Sequence, residues 1–165
     1  IHRLHERDRL ALVERLVTPG ILRSAVHPGG TYARRTMDEK LVTSGVTQVA
    51  IGAASGWPLA ALVGQPALRE RLGVKDVVRL RQAHLDVLIM GGLLTAAGSV
   101  PGVPDWARRA ATIGAWTNPL LFVPLAFRRD AAATVPYQLA SVASFTVTCA
   151  GWFGIARAAR RALRA

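Results

Sequence analysis

Four long apolar stretches without a charged residue alternate with short charged segments along this chain. An α-helix rises about 1.5 Å per residue, so roughly 20 apolar residues cross a hydrocarbon core of about 30 Å. The pattern therefore predicts an all-α integral membrane protein. Its four spans are expected at about residues 41–64, 82–101, 106–127 and 131–156.

Short connections between the predicted spans favour antiparallel neighbours, and hence a four-helix bundle over residues 41–165. Acidic residues mark where two of the helices are expected to begin. Asp76 is the predicted N-cap of the second helix, and Asp105 that of the third.

A short basic N-terminal extension, residues 1–40, precedes the bundle. Its first part, Ile1–Val17, mixes aliphatic and charged residues in a pattern typical of a short surface helix. Two interpretations stay open, because Met37 lies directly before the first span. Residues 1–36 are either a membrane-surface helix or an upstream extension of a protein that starts at Met37.

The charge distribution favours lipid over nucleic acid as the partner. The chain has 21 Lys and Arg against 10 Asp and Glu, a net charge of +11, and all 21 lie outside the uncharged stretches, which are residues 41–68, 87–104, 110–127 and 131–156. Basic residues beside apolar spans are expected to meet anionic lipid headgroups. They are slightly more numerous on the side that holds both termini. The sequence thus predicts a multi-pass protein of the inner or plasma membrane with both termini in the cytoplasm.

Polar residues within the spans are few and follow helical spacing. Ser44, Gln48 and Ser55 are expected on one face of the first helix. In the third, Pro119 has no N–H to give to the carbonyl of Ala115, which must stay free or bond elsewhere. Hydroxyls of the fourth span are expected to bond backbone carbonyls or a facing helix. They belong to Tyr137, Ser141, Ser144 and Thr148.

His84 is the most informative polar residue, because it enters the second span near the headgroup boundary. It shares a helical face with Gly91, and the small residues there leave room for a flat molecule or for another helix. One interpretation is a structural hydrogen bond to a carbonyl or to Asp86. The other is ligation of a metal or of haem iron, for which imidazole is suited.

Asn118, an amide in the middle of the third span, either ties helices together or lines a site. The sequence contains no evident nucleophile with a base beside it, and no pair of carboxylates. Any enzymatic activity would therefore depend on a cofactor for its reactive centre.

His84, Gly91 and Asn118 belong to a short sequence motif of the second and third helices. Ala83-His84 opens the second helix, Gly91 follows seven residues after the histidine, and Trp116-x-Asn118 lies in the third helix. With these residues, positions 40–160 resemble the styrene oxide isomerase and hydroxylaminobenzene mutase group of small four-span membrane proteins. The resemblance implies a homotrimer with haem b at the subunit interfaces, held by His84 and Gly91. It also implies a catalytic, substrate-orienting role for Asn118.

Three positions depart from the family pattern. Met90 stands where the isomerases have Asn, Gly114 where they have a carboxylate, and Phe122 where they have Tyr. The resemblance therefore extends to the iron-binding half of the motif more than to the catalytic half. Met90 itself is either a packing residue or a sixth iron ligand supplied by a neighbouring subunit, as in electron-transfer haems.

The expected function is thus a haem-dependent isomerase or mutase that rearranges a small apolar substrate, an epoxide or a hydroxylamine. Two alternatives stay open. One is a small b-type haem protein for electron transfer or sensing, and the other is a membrane scaffold without a cofactor.

Overall fold

The computed structural model describes residues 37–164, which are helical with short connections and contain no strand. The predicted all-α fold is confirmed for this part of the chain. The surface helix predicted at Ile1–Val17 lies outside the described residues. The helices are α1 (Glu39–Gly64), α2 (Pro66–Arg71), α3 (Val77–Ala97), α4 (Asp105–Leu120), α5 (Phe122–Phe127) and α6 (Val135–Ala162), with one 3₁₀ turn at Ala131–Ala133.

Three segments of the described chain are long and apolar enough to cross a membrane. They are α1, α4 together with α5, and α6. The remaining predicted span corresponds to α3, which begins at Val77 rather than near residue 82. Its first half therefore includes charged side chains, among them Arg79 and Asp86, and only its second half is continuously apolar.

The helix starts confirm one predicted cap and correct the other. Asp76 accepts a hydrogen bond from the amide of Val78 at 3.0 Å and caps α3, as predicted. The prediction that Asp105 caps the third long helix is wrong. Pro104 holds the cap position with an extended backbone, so Asp105 becomes the first helical residue and pairs with Arg108 instead.

The long helices form two closely packed antiparallel pairs, α1 with α3 and α4 with α6. Glycines make the close approach possible. A Cβ atom built on Gly91 would lie 2.8 Å from the carbonyl oxygen of Gly45, and one on Gly114 would lie 2.7 Å from the Cα of Thr148. Small residues at such contacts allow helix backbones to approach each other inside a bilayer, where little hydrophobic force drives them together.

One apolar core joins the two pairs. It draws on all four long helices through Leu41, Leu94, Ala97, Ala111, Ala115 and Ile155. Larger apolar side chains point outward, and Trp57, Phe145 and Phe153 are each more than half exposed. Apolar side chains outside and small residues inside are the arrangement expected when lipid surrounds the helices.

Adjacent glycines of α3 provide a matched test of this packing. Gly91→Ala is expected to lower stability by roughly 1–3 kcal/mol, because the new methyl group meets backbone atoms of α1. Gly92→Ala meets nothing within 4 Å and should be neutral or stabilising by up to about 1 kcal/mol. Thermal unfolding in one detergent, followed by circular dichroism, measures both. Equal effects of the two substitutions would contradict the packing described.

Candidate functional site

His84 projects from α3 toward α1 and pairs with Ser55. Its Nδ1 lies 2.9 Å from the Ser55 hydroxyl oxygen, which lies 2.7 Å from the carbonyl oxygen of Gly52. A carbonyl only accepts, so the single hydroxyl hydrogen of Ser55 points to Gly52. The hydrogen between serine and histidine must then come from Nδ1, and in the neutral imidazole this leaves a lone pair on Nε2. The structural partner of His84 is thus a side chain of α1 and not Asp86.

A cavity of about 300 Å³ lies beside this pair, between α1, α3 and the α4–α5 segment. Among the described residues, Ser55 and His84 are the only polar side chains in its wall. The rest of the wall is aliphatic and includes Ile51, Pro58, Leu59, Leu62, Leu80, Val87, Pro119 and Val123. No hydrogen-bond partner for His84 Nε2 is found among residues 37–164. An apolar cavity of this size with a few convergent polar groups is typical of a small-molecule site.

The glycine face of α3 is filled by another helix. Gly91 lies against Gly45 and Val49 of α1, and Gly98 lies against Val42. Of the two occupants predicted for this face, a helix and a flat molecule, the structure shows the helix. The residues at Gly91 therefore leave no space for a macrocycle, and the free space on this side of α3 lies at His84.

Met90 occupies a different environment from His84. It is half-buried and packs against the apolar core of its own chain. This placement agrees with the packing interpretation and provides no support for a role as an iron ligand.

Asn118 belongs to a polar cluster between α4 and α6. Its side-chain oxygen accepts a hydrogen bond from the Ser144 hydroxyl at 2.6 Å, and the Thr117 hydroxyl lies 2.6 Å from the same Ser144 oxygen. Asn118 is only 6% exposed and does not line the His84 cavity. The structure thus places Asn118 in contact between helices and does not bring it together with His84.

The carbonyl freed by Pro119 has a partner on another helix. The side-chain amide of Gln48, which is fully buried, donates a hydrogen bond of 2.5 Å to the Ala115 oxygen. One helical turn before Gln48 on α1, the Ser44 hydroxyl accepts a hydrogen bond of 3.0 Å from the Trp116 indole. The polar face predicted for α1 is therefore confirmed, since Ser44, Gln48 and Ser55 all bond inward to other helices.

Three of the four α6 hydroxyls, those of Ser141, Ser144 and Thr148, form the predicted bonds, and the structure shows none for the Tyr137 hydroxyl within residues 37–164. Ser141 donates to the Tyr137 carbonyl at 2.9 Å, and Thr148 donates to the Ser144 carbonyl at 2.7 Å. A second cavity, of about 640 Å³, opens beside this part of the helix, toward α4 and α5, and includes Thr117 and Tyr137 in its wall. The sequence pattern did not predict it, because three separate segments form it.

No group of three or more His, Cys, Asp or Glu side chains lies close enough to hold a metal ion among the residues that the structure describes. Comparison of the chain with protein-family models, with curated proteins and with solved structures finds no match of any of the three kinds. The fold and the site define the class of the protein in coarse terms. Over residues 37–164 it is all-helical, with three helices suited to span a membrane and an apolar cavity that contains one histidine.

A double-mutant cycle tests the bond between Gln48 and Ala115. Gln48→Leu leaves the Ala115 carbonyl without a donor and is expected to cost about 1–3 kcal/mol of stability. In a Pro119→Ala background the restored N–H can reach that carbonyl, so the same Gln48→Leu change should cost at least about 1 kcal/mol less. Thermal unfolding of the four variants in detergent measures the coupling. A coupling energy near zero would contradict the assigned bond.

Proposed function

We propose that this chain is an integral membrane protein that binds a small apolar molecule in the His84 cavity and rearranges it, as in the isomerase and mutase group that it resembles. One observation supports this proposal above the others. In a cavity with an otherwise aliphatic wall, a single imidazole is oriented by Ser55 and keeps a lone pair on Nε2.

Membrane insertion is the first part of the proposal. The three apolar segments, the outward-facing aromatic side chains and the basic residues at the helix ends support it. We place α3 as the fourth span, with its charged first turns at the headgroup boundary. Long side chains such as Arg79 reach the interface from there, while the apolar second half crosses the hydrocarbon.

The second part of the proposal is a haem b held by His84. Metal-bound histidines usually donate their other ring N–H to an acceptor, which is the arrangement of His84 Nδ1 and Ser55. Ser55 would fix the ring orientation. When bound, ferric haem supplies a Lewis acid that polarises an oxygen of the substrate. Met90, Gly91 and Asn118 lie elsewhere and take no part in this site.

A porphyrin is larger than the cavity in one chain, so the proposal needs a neighbouring copy to complete the site. The homotrimer implied by the resemblance would provide it. Ile51, Leu59 and Val87 would exclude water and take up the apolar body of the substrate. With no further polar side chain in the wall, selection among substrates would rest on size and shape.

The cofactor-free scaffold is the second candidate. It is favoured by the fact that Gln48, Asn118 and Ser44 all form hydrogen bonds between helices. Polar side chains used in this way stabilise a helix bundle in lipid without any chemistry. The electron-transfer alternative needs a second axial ligand, and the position of Met90 gives it no support.

The absorption spectrum of protein purified in detergent from a haem-supplied host separates these candidates. We expect a Soret band in the wild type and its loss in His84→Ala. Asp86→Asn is the matched control, since it alters a polar group two residues away that does not line the cavity. Absence of the band from the wild type would leave the scaffold, whereas its persistence in His84→Ala would exclude His84 as the haem ligand.

Product analysis tests the reaction. Membranes containing the protein are expected to convert a small aryl epoxide to the aldehyde, or an aryl hydroxylamine to the aminophenol, as measured by chromatography. Leu59→Trp fills the cavity and should lower the rate at least about tenfold, an effect of steric exclusion of the substrate. Leu139→Trp, on an exposed position of α6, is the control and should leave the rate unchanged. Equal rates in both variants would contradict a reaction at this cavity.

A further inference from the structure

A third cavity lies far from His84, where α4 begins and α6 ends. Its volume is about 610 Å³, and its wall includes Trp106, Phe153, Arg157 and Arg161. The function proposed above uses none of these residues. The cavity combines aromatic and cationic side chains at the end of two helices that are suited to span a membrane.

The two arginines are one helical turn apart and share a face of α6. Neither forms an ion pair with a carboxylate of the described chain. Asp105, the neighbour of Trp106 in sequence, is paired with Arg108. The side chain of Arg161 forms one hydrogen bond within the described residues, of 3.4 Å from Nε to the Arg157 carbonyl. Two positive charges therefore line the cavity without a negative partner from this part of the protein.

The aromatic part of the cavity depends on a glycine. A Cβ atom built on Gly154 would lie 2.8 Å from the Trp106 ring, so the absence of a side chain lets the indole rest on α6. Phe153 stands beside it and is 72% exposed. Tryptophan is enriched at the level of lipid headgroups, where its ring is partly in apolar and partly in polar surroundings.

We propose that this cavity binds an anionic phospholipid, with the headgroup phosphate between Arg157 and Arg161 and an acyl chain along Phe153. The unpaired positive charge selects an anion, and the planar guanidinium group matches the geometry of a phosphate. The aromatic wall selects a ligand with an apolar part, which a soluble phosphate lacks. The inference rests on membrane insertion from the proposed function, and it is independent of the haem and of the reaction.

Two further arginines provide a matched control, one in the last turn of α6 and one just after it. Arg160 and Arg164 lie near the same helix end, yet they do not line the cavity. The double variants Arg157→Gln/Arg161→Gln and Arg160→Gln/Arg164→Gln lose the same charge from the same region. If a headgroup binds in the cavity, only the first variant should lose lipid binding. If the basic helix end merely attracts acidic lipid, both variants should lose it equally.

Native mass spectrometry measures bound lipid after release from nanodiscs with equal phosphatidylglycerol and phosphatidylcholine. We expect the wild type to retain phosphatidylglycerol preferentially. Arg157→Gln/Arg161→Gln should lower that preference about tenfold, and Arg160→Gln/Arg164→Gln less than twofold. Arg157→Lys/Arg161→Lys keeps the charge and should retain most of the preference. Trp106→Ala should lower retention of lipid as a whole.

Equal effects of the two glutamine variants, or no lipid preference in the wild type, would overturn the proposal. Displacement of the lipid by inorganic phosphate would also overturn it, since it would indicate a site for a soluble anion. Extraction of the membranes at alkaline pH tests membrane insertion separately from lipid binding in the cavity. A protein that leaves the membrane refutes insertion and this site together, whereas a protein that stays while the lipid preference is absent refutes this site alone.

Discussion

The backbone contact between α1 and α3 at Gly45 and Gly91 is the constraint on which the site depends. A Cβ on either glycine would lie within 3 Å of backbone atoms of the opposite helix. Only one register of the two helices brings these positions together, and that register also places Ser55 opposite His84. The cavity, the orientation of the imidazole and the free Nε2 lone pair therefore follow from a steric contact two to three helical turns away.

The need for hydrogen-bond partners in an apolar environment explains the contacts of most other polar residues in the helices. A backbone or side-chain group without a partner costs several kcal/mol where water is absent. Pro119 creates such a group at Ala115, and Gln48 satisfies it from another helix. The Ser144 hydroxyl donates to the Asn118 side-chain oxygen across the α4–α6 contact. His84 differs from these residues because it lines a cavity, and its Nε2 has no hydrogen-bond partner among the described residues.

The residues that resemble the isomerase group differ in how well their positions suit a haem site. His84 has an orientation suited to a metal ligand. In contrast, Gly91 packs against α1 and Met90 packs against the apolar core. Asn118 is used between helices. A divergent relative that retained only the histidine would show this pattern, and so would a scaffold in which His84 simply bonds Ser55. Chemistry at Nε2 is the property that separates the two.

The sequence by itself determined the helical fold of the described residues, the approximate positions of the three long apolar helices, the Asp76 cap and the inward face of α1. These features depend on local periodicity and on groups close in the chain, which a linear pattern contains. It also predicted that the Ala115 carbonyl needs a partner elsewhere, because Pro119 has no backbone N–H to donate to it.

Only the tertiary structure decided that Gln48 is that partner, that Ser55 binds His84, that a helix covers Gly91, and that Arg157 and Trp106 share a cavity. Each of these relations joins residues from different helices. The distance between such residues is set by side-chain packing and by helix register. The spacing of residues along one segment of the chain predicts neither of them.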